Sequence, residues 1–465
     1  MSEGRKSKLQ PSEIVVPNIT PGRDWYLSSF QAFEKNLNGA ASSHLHAIRK
    51  AAIARFAELG FPSTREEEWK YTDVAPLTRV NFKPVLNNVV DGLTMTDLER
   101  SVPLCGRNLK WDRLVWVNGH FSKEISSISA LQAGVKIGSL ADAMRHDPRV
   151  LEEHLAQYAR YEENAFTALS TAFLQDGAFI YVPNGVLVQA PIHLLFLSTN
   201  LGPEFVSYPR NLIIIGKNSQ VAIVETHASL ADNMYFTNAV TEIVLGENAV
   251  LEYDKVQVES VRSFHIGTTH AHQGRSSTLI SNSISFGGAL VRNNLTAVLD
   301  GDGVECTLNG LYLAAGQQHI DNHTTIDHAK PHCNSHELYK GVLAGKSRGV
   351  FNGKIIVRKN AQKTDARQTN KNLVLTDDAA IDTKPQLEIF ADDVKCTHGA
   401  TIGQLDEEAI FYLRSRGVGF NNARDILIGA FASDVINRIK IEPLREQLHQ
   451  MLHARLGQEF QRGDL

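Results

Sequence analysis

The densest run of ligand-type side chains lies between His319 and His336. His319, Asp321, His323, Asp327, His328, His332, Cys333 and His336 fall within that one stretch. On a strand, His319, Asp321 and His323 share a face, because side chains alternate from one side to the other. Such a face could hold a metal, but no zinc-ligand spacing is matched. Structural or interface use explains the same residues. A smaller constellation is Cys396-Thr-His398-Gly-Ala. Thiolate and imidazole are borderline-soft ligands suited to Fe, Zn or Cu(I). Two ligands make an incomplete site, so a metal here needs groups from elsewhere in the chain or from a partner. As a nucleophile pair Cys396 and His398 are poor, since i,i+2 spacing keeps them side by side with no oxyanion arrangement. A half-buried cysteine beside a surface histidine is the plainer alternative. Gly341-Val-Leu-Ala-Gly345-Lys346-Ser347 is one residue short of a phosphate loop: Lys340 stands where Gly is required, and a strand-like run follows in place of a helix. Asp377, Asp378, Asp382, Asp392 and Asp393 could serve a glycan-cleaving site, but the aromatics that would line such a cleft are sparse there.

These residues need a frame, and residues 176–403 supply it. AFIYVP (178–183), VLVQAPIHLLFL (186–197), NLIIIG (211–216), VAIVET (221–226), AVTEIVLG (239–246) and AVLEYDKVQV (249–258) read as strands. So do STLISNSISF (277–286), NLTAVLD (294–300), GVFNGKIIVR (349–358), NLVLTD (372–377) and QLEIFADDV (386–394). No convincing helix separates them, which excludes a doubly wound sheet. Gly216-Lys-Asn-Ser-Gln-Val221 is echoed by Gly246-Glu-Asn-Ala-Val-Leu251, with Gly or Asn suited to positive φ. The spacing predicts a mainly β fold built on a β-helix or related stacked solenoid, with a jelly roll or sandwich as the alternative.

Around this core the pattern is helical. Residues 1–20 read as disordered or loosely attached, and 21–175 as an α-rich N-terminal domain. Helices are expected over 24–37, 43–59 (with Leu45, Ile48, Ala52, Phe56 and Leu59 inward), 148–158 and 163–174. Ser63 or Thr64 can open a capping box with Glu66 or Glu67, and Asp147-Pro148 reads as a cap followed by proline. Residues 404–465 form a C-terminal helical domain with helices over 405–417, 423–439 and 442–456. Its apolar faces either pack back on the solenoid or dock another protein.

Composition narrows the function classes. The chain has 465 residues, a net charge of −4, 43% apolar and 21% charged residues, which argues against a nucleic-acid or anionic-membrane surface. The greasiest stretch, 186–197, is broken by Gln189, Pro191 and His193 and is too short to span a bilayer. Four scattered cysteines and no secretory leader fit a reducing cytoplasm, with a plastid stroma second.

Three stretches resemble one family. TDDAAIDTKPQLEIFADDVKCTHGATIGQLDEEAIFYLRSRGV (376–418), REEEWKYTDVAPL (65–77) and PHCNSHELYKGVL (331–343) are similar to the SufB/SufD family of the Suf iron–sulfur cluster assembly system. SufB members carry a functional cysteine near the segment here reading Gln368-Thr-Asn370-Lys-Asn372; no cysteine lies between 334 and 395, and Cys-x-His-Gly-Ala at 396–400 is the SufD-like form. The resemblance implies a right-handed parallel β-helix core between two helical domains. It implies a scaffold subunit, not an enzyme, paired with SufB and carrying SufC, an ABC-type ATPase present in two copies per complex. A homodimer without SufB is the alternative assembly. It also implies that His398, supported by Cys396, ligates iron or a transient cluster at the SufB interface, with no nucleotide held by this chain. Phe411, Leu413, Arg424, Ile426, Leu427 and Phe431 are the residues expected to dock the ATPase.

Overall fold

A computed structural model describes residues 22–37, 44–86, 92–105, 111–129, 131–202 and 204–458. The expectation for residues 1–20 lies outside them. The core is a parallel β-solenoid of about eight turns. Alternate strands go to two sheets, one of eleven strands and one of ten among the described residues. Consecutive coils are offset by roughly thirty residues and stack in register, as Gln220 beside Val250 and Asp365 beside Lys395. Leu251, Tyr253 and Leu279 of one sheet and Ile243, Ala271 and Leu295 of the other fill the space between them.

The turns explain the repeated Gly-x-Asn. Asn218 and Asn248 take positive φ (55° each), and Asn248 donates to the Asn218 side chain at 2.9 Å, so successive turns form an asparagine ladder. Gly216 and Gly246 serve a different purpose: a Cβ would lie 2.6 Å from Asn184 N and 2.9 Å from Lys217 N, respectively. They are glycines because the preceding coil's backbone lies against them.

Several expectations need correction. The strand expected over 186–197 begins at Ile192, with only a single bridge at Leu187, because Pro191 interrupts the ladder. The strand expected over 386–394 is Ala380–Ile389, and 390–394 is a turn. Strands Phe264–Gln273, Asn334–Leu343 and Lys395–Gly403 carry so many polar residues that apolar alternation did not reveal them, and Glu305–Ala314 is a further strand outside the expected set. Ser63 and Glu66 do pair, with Ser63 N donating to Glu66 Oε1 at 2.9 Å, but only a 3-10 turn at Glu67–Trp69 follows. Asp147 makes no capping bond; its carboxylate pairs with Lys136. Helix His44–Leu59 buries His46, Arg49, Ala52 and Phe56, a face rotated from the apolar one, because His46 reaches Glu34 and Arg49 donates to Leu174 O.

The two helical ends grip different faces of the solenoid. Tyr26, Phe30, Phe56, Trp69 and Phe166 pack on Phe236, Phe264, Ile266 and Leu290 of one sheet. The tail helices Phe420–Ile436 and Glu442–Gln458 lay Ile428, Ala432, Leu448 and Leu452 against Val224, Val256, Ile284 and Leu311 of the other. The second tail helix turns one face to the solenoid. Arg424, Ile428, Ala432 and Val435 face in, while Ile426 and Ala430 face out.

Candidate functional site

Cys396 and His398 lie on Lys395–Gly403, the terminal strand of its sheet, hydrogen-bonded on one edge only. In register, Cys396 sits beside Ala366, His398 beside Gln368, Ala400 beside Asn370 and Ile402 beside Asn372. The four inner partners are buried. Cys396, His398, Ala400 and Ile402 therefore belong to the row that fills the solenoid interior in earlier coils. Among the described residues no further coil covers it. His398 is exposed and Cys396 half-buried against the last core residues. On the opposite sheet the terminal strand Ala380–Ile389 is likewise half-covered, with Phe390 63% exposed beside it. Pro385 within this edge strand removes one ladder donor. The open end is a rim of unpaired backbone and exposed apolar side chains around an imidazole and a thiol.

The chemistry of that end follows from its surroundings. Burial, then the negative charge of Asp365, pushes the Cys396 thiol up, so it stays protonated at neutral pH until a cation arrives. Under His398, Gln368 Nε2 donates to Glu337 Oε2 at 2.7 Å, and burial pushes the Glu337 carboxyl up to about 7. The other cysteines are buried thiols; burial pushes Cys105 up to about 11, and Cys333 donates to Gly301 O at 3.2 Å. Cys396 is the one thiol with access to solvent.

The residues of 319–336 do not converge. His319, Asp321 and His323 share the outer face of strand His319–His328, as alternation requires, but they fasten the 65–72 segment. Thr72 Oγ1 lies 2.9 Å from His319 Nε2 and donates to Asp321 Oδ2 at 2.6 Å. Arg292 bonds Asp321 at 2.9 Å and stacks 3.7 Å from the Trp69 ring centre. His328 turns inward to Ser335, and His336 is exposed on the other sheet. Run 341–347 is a strand end and tight turn, with Gly345 at φ 66°. Among the described residues, the group whose ligand atoms lie close enough for a metal is His227, Glu259 and His265, wholly inside the solenoid. There His227 pairs with Glu225 at 2.8 Å, and Lys255 Nζ lies 3.3 Å from His265 Nε2.

The expected docking residues divide. Phe411 is 74% exposed and Ile426 is exposed, while Leu413, Leu427 and Phe431 are half-buried. Arg424 is buried, lining with Phe411 a groove of about 480 Å³ between the first two tail helices and the solenoid. Phe431 is held by Lys340, whose Nζ lies 4.4 Å from the ring centre and donates to Phe431 O at 3.1 Å. Sequence reasoning missed the polar rows on the outer face of the other sheet. Their signal is a recurring polar-x-polar pair in successive coils: Thr268-x-His270, Asn294-x-Thr296, His323-x-Thr325 and Asn352-x-Lys354.

Comparison with known proteins agrees with this architecture. Residues 196–431 match the domain described as "SUF system FeS cluster assembly, SufBD core domain", and residues 22–194 match the "SufBD protein N-terminal region". An iron–sulfur cluster assembly SufBD family protein of Synechocystis sp. is 35% identical over 90% of this chain and 93% of its own length. The iron–sulfur cluster assembly protein SufD of Escherichia coli is 30% identical over 96% of this chain and 99% of its own. A chloroplastic protein of Arabidopsis thaliana, ABCI7, is 29% identical over 90% and 88%. The chain belongs to the SufBD family of iron–sulfur cluster assembly proteins.

Proposed function

We propose that this chain is a non-enzymatic scaffold subunit that pairs with a SufB paralogue through its open solenoid end and carries the SufC ATPase on its tail helices. The observation that carries this reading is the uncovered last coil. It presents His398 and Cys396 on an unpaired strand edge, where a second solenoid can add the missing strand and the missing ligands. Iron or a nascent cluster is the cargo. His398 presents a neutral imidazole, Cys396 stands beside it, and the partner supplies the remaining ligands. The first tail helix, with Phe411 and Tyr412 exposed and Arg414 and Arg416 beside them, suits a protein partner; nucleotide closure on the ATPase would then act on the tail. Four free thiols suit a reducing cytoplasm. Among the described residues no helix is long and apolar enough to cross a membrane.

The test is anaerobic affinity purification of this chain from its own cell extract, with co-eluting proteins identified and iron and sulfide assayed. Recovery of the ATPase and a paralogue, with cluster on the assembly only, is the expected result. Isolation of the chain alone overturns the partner reading. A strain carrying only His398→Ala that matures clusters normally overturns the ligand role.

A further inference from the structure

We propose that the cleft between the N-terminal segment and the solenoid face is a binding site for one oxoanion group, a phosphate or a carboxylate of a small molecule. The cleft holds about 520 Å³, within the range of small-molecule sites. Its floor is two in-register rows on neighbouring strands. Thr268 stands beside Asn294, and His270 two residues further along beside Thr296. Among the described residues, three floor atoms are buried with no hydrogen-bond partner: Thr268 Oγ1, His270 Nδ1 and Asn294 Nδ2. Each can donate. Adjacent strands set Thr268 and Asn294 about 4.8 Å apart, and two residues of rise set His270 about 6.6 Å along. That triangle suits donors that each reach a different oxygen of one tetrahedral or planar oxoanion.

The floor is held in place by its own contacts. Asn294 is fixed by Arg292, whose Nε donates to its Oδ1 at 2.9 Å, leaving the amide nitrogen free. Arg292 is itself clamped between Asp321 and the Trp69 ring. Lys354 stands at the end of the second row, between Glu68 at 3.5 Å and Glu388 at 3.8 Å. The acids at the mouth are exposed and largely engaged. Glu66 accepts from Ser63 N, Glu67 pairs with Lys384, and Glu68 pairs with His323 at 3.4 Å and Lys354 at 3.5 Å; Glu163 points to solvent. Buried unpaired donors cost free energy in the empty protein, and an anion recovers it.

The test is isothermal titration of the full chain with inorganic phosphate and, separately, with succinate. Saturable binding of at least one is expected; phosphate alone identifies a phosphate-bearing ligand, and succinate alone a carboxylate. Asn294→Asp keeps the acceptor for Arg292 but turns the donor into a negative acceptor, and should abolish binding. Thr268→Val removes one hydroxyl at nearly constant shape and should weaken binding about tenfold. Circular dichroism and the thermal midpoint of each variant, measured without anion, confirm the fold. No binding of either anion at millimolar concentration, or unchanged affinity in a folded Asn294→Asp protein, overturns the proposal.

Discussion

Glu242→Gln should unfasten the wall of that cleft. The Glu242 carboxylate, fully buried, accepts four hydrogen bonds: from Ala156 N and Tyr158 N at 2.8 Å, Ala159 N at 2.9 Å and Arg210 Nη2 at 2.7 Å. It thereby ties the segment that carries Tyr158, Ala159 and Arg160 along the cleft to a central strand. Glutamine fits the space. Its oxygen can still accept from Tyr158 and Ala159, but its NH₂ faces two donors, Ala156 N–H and Arg210. The guanidinium, buried too, is left with Thr171 Oγ1 at 3.0 Å. Breaking a buried ion pair in this way costs about 3–5 kcal/mol. Arg210→Met should cost less, about 1–3 kcal/mol, because the carboxylate keeps its three backbone donors. A chain of this length does not guarantee two-state unfolding, so native-state amide exchange is the assay. In Glu242→Gln the amides of Ala156, Tyr158 and Ala159 should exchange about two to four orders of magnitude faster, at about 1.4 kcal/mol per tenfold. Less than tenfold acceleration, or a larger effect from Arg210→Met, would refute the reasoning.

Three further outcomes are expected. Lys340→Met removes bonds to Asp434 (2.7 Å) and Phe431 O (3.1 Å), and amides of the second tail helix should exchange about tenfold faster; unchanged exchange means the helix is held by its apolar face alone. Gly310→Ala sets a Cβ 2.1 Å from Tyr339 Cε1 in the packed interior, so calorimetry should show a loss of about 3 kcal/mol or little soluble protein; a wild-type midpoint would mean the Tyr339 ring can move. Burial holds His193 down to about 3 and His270 and His328 down to about 4. The unfolded chain protonates them near pH 6.5 and the folded chain does not, so their contribution is intact above that pH and falls as pH drops toward 4. The slope is up to about 1.4 kcal/mol per pH unit for each histidine. Thermal midpoints at pH 7.5, 6 and 5 check this, and His328→Gln, which can keep the Ser335 contact, should flatten the decline.

The solenoid was legible where its strands are apolar. NLIIIG and AVLEYDKVQV announce themselves because Ile and Val are both inward and strand-forming. Strands such as Phe264–Gln273, FHIGTTHAHQ, were not, because their polar side chains serve burial partners on other coils. His265 lies between Glu259 and Lys255 inside, and no local period encodes that.

Sequence alone determined the β-rich repeat, the helical flanks, the Cys396–His398 pair and, through three matched stretches, the family. Residue type, strand propensity and i,i+2 alternation are local properties, so they survive without coordinates. Tertiary structure decided that Cys396 and His398 occupy the last, uncovered coil. It also decided that the 319–336 residues fasten Thr72 and Glu68 and that Arg424 turns inward while Ile426 turns out. Which face of an apolar helix is buried, and which polar side chains find partners, depends on what packs opposite them from residues a hundred or more positions away.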